Sequence, residues 1–100
     1  MTDKYILEGK SPKLVDDLLE WAMWFETANL HVAKTNLPNG VEVSTVFLGL
    51  DYSFRGGTPI LFETMIFGGE HDQYQERYAT REEAEAGHLR VVGLVKAEDK

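Results

Sequence analysis

Two β-rich runs dominate the pattern of hydrophobic and polar positions along the chain. Residues 45–50 are apolar or small on both alternating faces, which predicts a strand covered on both sides near the centre of a sheet. After a segment rich in Gly and Pro, residues 60–67 predict a second strand on which Phe62, Thr64 and Ile66 share one face. These runs predict the central pair of an antiparallel sheet.

Three shorter segments complete the predicted sheet. Residues 5–7, 31–36 and 74–78 are β-prone, and the last is more polar, as edge strands usually are. Turn residues separate the strands because Gly and Asn accept positive φ and Pro limits the backbone. The predicted turns run from Gly9 through Ser11 and Pro12, over Leu37-Pro-Asn-Gly40, and over Gly68-Gly-Glu-His-Asp72.

Two capping boxes predict two helices. Asp17-Leu-Leu-Glu20 predicts a helix over residues 16–28, and Thr80-Arg-Glu-Glu83 predicts one that ends near residue 96. The 3.6-residue period then selects the side chains that face inward. These are Val15, Leu18, Ala22 and Phe25 in the first helix, with Leu14 and Trp21 beside them, and Ala84, His88, Val91, Val92 and Val95 in the second.

The order of these elements is (β)αββββα, which predicts an α+β fold. We expect one domain over residues 1–100, built as an antiparallel β-meander of four to five strands with two helices packed on one face. A chain of 100 residues buries about 65% of its extended surface on folding, enough for one core. We expect Phe47, Phe62 and Ile66 to lie in that core beneath the helices.

Composition indicates a soluble protein of the cytoplasm. The chain has no Cys, no signal-peptide apolar region and no apolar run as long as a membrane span. Its net charge of −7 argues against direct binding to nucleic acid or to an anionic membrane, because both need clustered Lys and Arg. The acidic residues are spread evenly, which is typical of a solvated surface.

The histidines do not have the spacing of a metal site. His31, His71 and His88 lie far apart, and no His-x-x-x-His pair occurs. His88 falls on an apolar stripe, which favours a buried, hydrogen-bonded histidine over a ligand. The loop Glu70-His-Asp72 has metal-capable side chains, but polar turns commonly have this composition. We therefore expect no metal and no cofactor.

No combination of residues predicts catalysis either. Ser44, Thr45 and Thr64 fall within strands, and the Gly-x-Ser-x-Gly pattern of a nucleophile elbow does not occur. Glu63 is the one acid inside a strongly apolar strand. We expect it to face solvent or to pair with Arg77 on the next strand. The sequence thus favours a protein that is not an enzyme.

Aromatic residues are the features that a core explains least well. Trp24 falls between Asp17 and Glu20 on the predicted helix, and Tyr52, Phe54 and Arg55 occupy a Gly-rich tip. Exposed Trp, Tyr and Arg are the residues that commonly anchor interfaces. These four residues are the candidate binding surface, with the alternative that the tip folds back over Trp24 and buries the aromatics.

Three segments resemble the core of small uncharacterised proteins encoded by bacteriophages and prophages. They are Val43-Ser-Thr-Val-Phe-Leu-Gly-Leu-Asp51, Leu61-Phe-Glu-Thr-Met-Ile-Phe-Gly68 and Tyr74-Gln-Glu-Arg-Tyr-Ala-Thr-Arg-Glu-Glu-Ala-Glu-Ala-Gly-His88. The resemblance spans about residues 5–95 and carries no catalytic or binding residue. It implies an accessory product in the cytoplasm of a host cell.

The resemblance leaves two functions open. The first is stoichiometric, non-enzymatic binding to a host or phage protein, including in counter-defence, by a chain that forms a homo-oligomer. The alternative is a ligand-binding module that sequesters a nucleotide-like molecule at an oligomer interface, lined by Arg55, Tyr78 and Arg81. A structural virion component is a weaker third possibility, because such chains usually carry longer arms.

Overall fold

A computed structural model describes residues 2–53 and 57–98, without the side chain of Glu98. Within these ranges the chain forms a two-stranded antiparallel sheet and a four-stranded antiparallel meander, together with two helices. The α+β class is confirmed, and the order of elements follows the prediction apart from one extra strand. The elements are β1 (Lys4–Glu8), β2 (Ser11–Val15), α1 (Leu18–Thr27), β3 (His31–Asn36), β4 (Glu42–Phe47), β5 (Phe62–Phe67), β6 (Gln75–Tyr78) and α2 (Arg81–Glu98).

The extra strand is β2, which pairs with β1 in a tight hairpin. Ser11 and Pro12 were expected in a turn, and this expectation is wrong because both lie within β2. The turn is only Gly9 and Lys10, with Glu8 paired to Ser11. Gly9 has a φ of 64°, which a two-residue hairpin turn favours at its first position. The turn therefore begins at Gly9 as expected and ends two residues earlier.

One face of the four-stranded sheet carries the core. The alternation of β4 places Val43, Thr45 and Phe47 on this face, and β5 supplies a partner for each across the central ladder. The predicted burial of Phe47, Phe62 and Ile66 is confirmed, with exposures of 1%, 0% and 0%. The pairs are Val43 with Ile66, Thr45 with Thr64, and Phe47 with Phe62.

Helix α2 crosses this face and contacts β3, β4, β5 and β6. The predicted inward stripe is confirmed, because all five of its residues are buried. Its apolar members pack against core residues of the sheet, and its one polar member, His88, is hydrogen-bonded as described below. Neither α1 nor α2 is long and apolar enough to cross a membrane. The stripe is Ala84, His88, Val91, Val92 and Val95.

Helix α1 begins as its N-cap predicts, but only half of the expected capping box is formed. The Asp17 carboxylate accepts hydrogen bonds from the amides of Leu19 and Glu20, at 2.9 and 3.2 Å. In the described part of the chain, the Asp17 amide donates no hydrogen bond to the Glu20 carboxylate. A single carboxylate at the N-cap is sufficient to start this helix.

The inward face of α1 differs from the prediction. Trp21, Trp24 and Phe25 are half-buried, whereas Leu18 and Ala22, which were expected to face inward, are exposed. The ring of Trp24 meets the ring of Phe47 edge-on, with centroids 6.0 Å apart. Since Phe47 lies on the face that α2 covers, Trp24 joins the core on that face, whereas α1 itself packs mainly against β1 and β2.

Gly49 explains why the aromatic side of α1 turns inward. Its carbonyl accepts hydrogen bonds from Trp21 Nε1 at 3.0 Å and from the Tyr5 amide at 2.8 Å. A Cβ at this position would lie 2.6 Å from the ring of Phe25, so only glycine lets the helix approach so closely. Gly49 also has a φ of 77°, which favours glycine for a second reason. The α1 face is therefore selected by a residue distant in sequence.

The capping box of α2 is complete, and its removal should cost stability. Thr80 Oγ1 accepts from the Glu83 amide at 3.1 Å, and Glu83 Oε1 accepts from the Thr80 amide at 3.1 Å. We expect Thr80→Ala to lower the free energy of unfolding by about 1 kcal/mol without preventing folding. Urea denaturation followed by circular dichroism measures this change. The control is Thr80→Ser, which keeps the hydroxyl, and equal losses in the two variants would contradict the capping role.

Candidate functional site

His88 is at the centre of a buried polar cluster between α2 and the sheet. It is 3% exposed, its Nδ1 lies 2.7 Å from Thr45 Oγ1, and its Nε2 lies 2.9 Å from Thr35 Oγ1. Thr45 Oγ1 also lies 2.5 Å from Thr64 Oγ1 on the next strand. Burial lowers the pKa of His88, so the imidazole is neutral near pH 7. The predicted buried, hydrogen-bonded histidine is confirmed.

Glu76 on β6 continues this cluster to the far edge of the sheet. Its carboxylate accepts from Arg90 Nη1 at 2.9 Å and from Tyr78 Oη at 3.1 Å, and it also accepts from Arg90 Nη2 and from Tyr74. The hydrogen bonds from Arg90 lower the pKa of Glu76 to about 2, although partial burial acts in the opposite direction. Glu76 is therefore ionised, and it stabilises the fold above about pH 4.5 and loses that effect as the pH falls towards 2.

The cluster around His88 and the hydrogen bonds of Glu76 join into one chain of hydrogen bonds that runs in a single direction. Tyr78 forms a side-chain hydrogen bond with Thr64, and its hydroxyl donates a hydrogen bond to the ionised Glu76. Because a carboxylate only accepts, Tyr78 must accept from Thr64, and Thr64 must in turn accept from Thr45. Thr45 then accepts from His88. The chain joins α2 to every strand of the meander.

This count of protons assigns the tautomer of His88. Nδ1 must carry the hydrogen, since it donates to Thr45, and Nε2 must accept from the hydroxyl of Thr35. We expect two-bond ¹H–¹⁵N correlation spectra at neutral pH to show a protonated Nδ1 and an unprotonated Nε2. A spectrum of the opposite tautomer would contradict the direction of the chain.

The lowered pKa of His88 predicts a dependence of stability on pH. As the pH falls through about 6.5 the unfolded chain binds a proton at His88, whereas the folded chain does so only at lower pH. The free energy of unfolding should therefore fall as the pH drops below about 6.5, and this contribution should be constant above it. Urea titrations at several pH values measure the slope.

A matched pair of histidine variants isolates this effect. His88→Gln should flatten the slope between about pH 6.5 and 5, because it removes the titrating group. His31→Gln is the matched control, because His31 is exposed. Equal slopes in the parent and in His88→Gln would contradict the prediction.

The outer side of α1 is the most exposed apolar part of the described chain. Leu18, Leu19 and Met23 are 64%, 67% and 63% exposed, and Ala22 is exposed beside them. Leu19, Ala22 and Met23 share one side of the helix because they lie three and four residues apart. We call Leu18, Leu19, Ala22 and Met23 the α1 surface.

The residue pattern does not predict the α1 surface, because α1 is apolar on more than one side. Either the Leu-rich or the Trp-rich side could have formed the inward face on periodicity alone. The greater size of Trp and Phe was the available signal, since aromatic side chains remove the most surface from water. Grouped exposed apolar side chains of this kind are typical of a protein-binding surface.

Comparison with known proteins adds no identification. No protein-family model matches the chain, and no curated protein or solved structure gives a significant match. The resemblance to phage proteins therefore stays a prediction, and the residues of this chain carry the functional argument.

Two of the four predicted interface residues, Trp24 and Tyr52, lie within the described residues. Trp24 is not on the exposed side of α1, and its role as an interface anchor stays a prediction. Tyr52 is 44% exposed, and the guanidinium carbon of Arg77 lies 4.7 Å from the centre of its ring. Phe54 and Arg55 lie outside the described residues.

Arg77 also forms the ion pair that the sequence predicts. Its Nε donates to the Glu63 carboxylate at 2.9 Å, across the register pair that joins β5 and β6. The Glu63 side chain is 12% exposed, so the pair compensates a largely desolvated charge. The acid inside the apolar strand is thereby explained by structure.

Of the residues of the alternative ligand site, Tyr78 and Arg81 lie within the described residues. Tyr78 is buried beneath α2, where its hydroxyl donates to Glu76. Arg81 pairs with Glu85 at 3.1 Å and borders a pocket of about 360 Å³ between the β1–β2 turn and the start of α2. Lys10, Glu82 and Glu85 also line this pocket, so its formal charges cancel and it has no excess of positive charge for a phosphate.

The loop Glu70-His-Asp72 acts as a turn. Asp72 accepts a hydrogen bond from the Gly68 amide at 2.7 Å. A second pocket, of about 250 Å³, lies between this loop and the apolar side chains of Val41 and Val95. In the described parts of the chain, no group of three acidic or His side chains could hold a metal ion.

Proposed function

We propose that this chain is a non-enzymatic accessory protein of phage or prophage origin that binds a host or phage protein stoichiometrically, including in counter-defence. The phage origin is supported by the three segments that resemble phage and prophage proteins. The binding function is supported by the α1 surface, where large apolar side chains remain in water after the fold is complete. The α1 surface is the observation that carries the proposal.

The size of the α1 surface suits the centre of an interface. Burying one Leu or Met side chain contributes about 1.5–3 kcal/mol, and Leu18, Leu19 and Met23 are each mostly exposed. A micromolar complex needs about 8 kcal/mol after the entropy of association is offset. The three side chains therefore supply part of such an affinity, and polar contacts around them have to supply the rest.

The test compares two variants, in which exposed apolar residues of α1 or of α2 are replaced by Ser. Leu19→Ser with Met23→Ser removes the α1 surface, and neither residue packs in the core. Leu89→Ser is the control, because Leu89 on α2 is 73% exposed. Each folded protein is immobilised on a resin and incubated with extracts of uninfected and of phage-infected bacteria. The bound proteins and small molecules are then quantified by mass spectrometry.

We expect a protein bound in stoichiometric amount by the parent and by the Leu89 control. Its recovery should fall at least about tenfold with the α1 variant, the equivalent of 1.4 kcal/mol. Equal recovery with the α1 variant and the parent, with circular dichroism showing both folded, would contradict binding through this surface. The same extracts test the sequestering of a nucleotide-like molecule, which would be recovered in the small-molecule fraction.

A further inference from the structure

The α1 surface is bordered by carboxylates that are not used within the fold. Asp16, Glu20 and Glu26 are exposed and make no hydrogen bond or ion pair through their side chains with the described residues. Asp17 adds a fourth charge, part of which is offset by its hydrogen bonds at the helix N-terminus. No Lys or Arg occurs from residue 14 to residue 33. The surface is therefore apolar at its centre and acidic at its border.

This charge pattern disfavours a second copy of the chain as the occupant. In a two-fold symmetric interface the same patch meets itself, so the border of one copy would face the border of the other. Carboxylates would then oppose carboxylates, without a nearby cation from α1 to separate them. The homo-oligomer predicted from sequence would have to use another surface.

Resting on the proposed function, we infer that the partner is a protein with an apolar groove bordered by Lys and Arg side chains. Leu19, Ala22 and Met23 follow the three- and four-residue spacing with which the apolar face of a helix enters a groove, and Glu26 lies on the same side one turn further along. The helix has 10 residues, which corresponds to a groove about 15 Å long. Asp16 lies at one end of this length and Glu26 at the other, so the partner's cations lie at both ends of the groove.

Two synthetic peptides test the chemistry of the partner. The first is an amphipathic helix with Leu on one face and Lys beside it, and the second has Glu in place of each Lys. Isothermal titration calorimetry measures their binding to the full chain at low and at physiological salt. We expect the Lys peptide to bind and to weaken with salt, and the Glu peptide not to bind.

Variants of equal net charge separate the α1 border from general attraction to an acidic protein. Asp16→Asn, Glu20→Gln and Glu26→Gln together remove three charges at the border. Asp3→Asn, Glu70→Gln and Glu82→Gln together remove three exposed charges elsewhere. The border variant should bind the Lys peptide at least about tenfold more weakly, and the distant variant should keep an affinity close to that of the parent.

The outcomes distinguish this inference from the function on which it rests. If the border and distant variants lost affinity for the Lys peptide equally, the inference of a cationic partner at α1 would be wrong. It would also be wrong if sedimentation detected a dimer in the parent that Leu19→Ser with Met23→Ser abolished, because the occupant would then be a second copy. If the border variant keeps its cellular partner while the Leu19 and Met23 variant loses it, the proposed function stands and the basic groove does not. If both keep it, the proposed function fails as well.

Discussion

Phe62→Ala should leave most of the chain unfolded. Phe62 is fully buried, its ring centroid lies 5.5 Å from that of Phe47, and it belongs to the cluster that links β4, β5, β6 and α2. Truncation of a buried Phe costs about 3–5 kcal/mol. The whole stability of a small domain is about 5–15 kcal/mol, so the loss is a large part of it.

The control is Phe67, at the other end of the strand that begins with Phe62. It lies on β5 as well, but it is 44% exposed, so Phe67→Ala should cost about 1 kcal/mol or less. Urea denaturation and the dispersion of amide signals in an NMR spectrum measure both variants. A well-dispersed spectrum of Phe62→Ala, with stability equal to that of Phe67→Ala, would show that the assignment of the two sheet faces is wrong.

Gly87→Ala should be the most disruptive exchange of a helical glycine in the described chain. A Cβ at position 87 would lie 2.3 Å from Tyr78 Oη and 2.4 Å from Tyr78 Cζ, which no real contact permits. The ring of Tyr78 cannot move away freely, because its hydroxyl is bound to Glu76 and Thr64. We expect a loss of about 1–3 kcal/mol, the usual cost of overpacking, despite the better helix propensity of Ala.

Gly93 is the matched control on the same helix. A Cβ at position 93 would meet nothing within 4 Å, so only the change in helix propensity acts there. Gly93→Ala should raise the free energy of unfolding by up to about 1 kcal/mol. Chemical denaturation of the two variants should therefore give changes of opposite sign. Stabilisation by Gly87→Ala would contradict the close approach of Tyr78 to α2.

Local rules predicted the sheet and α2 well, because these elements depend on signals carried by neighbouring residues. Period-2 alternation placed Phe62, Thr64 and Ile66 on one face, and the Thr80 capping box fixed the start of α2. The Glu63 and Arg77 ion pair followed from placing adjacent strands beside each other.

The remaining features depend on contacts between residues that are distant in sequence. The orientation of α1 depends on Gly49, whose role in receiving Trp21 and Phe25 has no local signature. The Glu76 and Arg90 pair joins an edge strand to the middle of α2, and no periodicity within either element predicts it. The α1 surface was not predicted for the same reason, since it is exposed only because Gly49 selects the opposite side of the helix.

The directed hydrogen-bond chain restricts how this sequence can change over time. Each interior hydroxyl accepts once and donates once, so Thr45→Val alone would leave the Nδ1 hydrogen of His88 buried without an acceptor, at a cost of about 1–3 kcal/mol. Replacing His88 and its hydroxyl partners together by apolar residues of similar shape avoids that cost. Positions 35, 45, 64, 78 and 88 should therefore covary among homologues as one group, and single replacements within it should be rare.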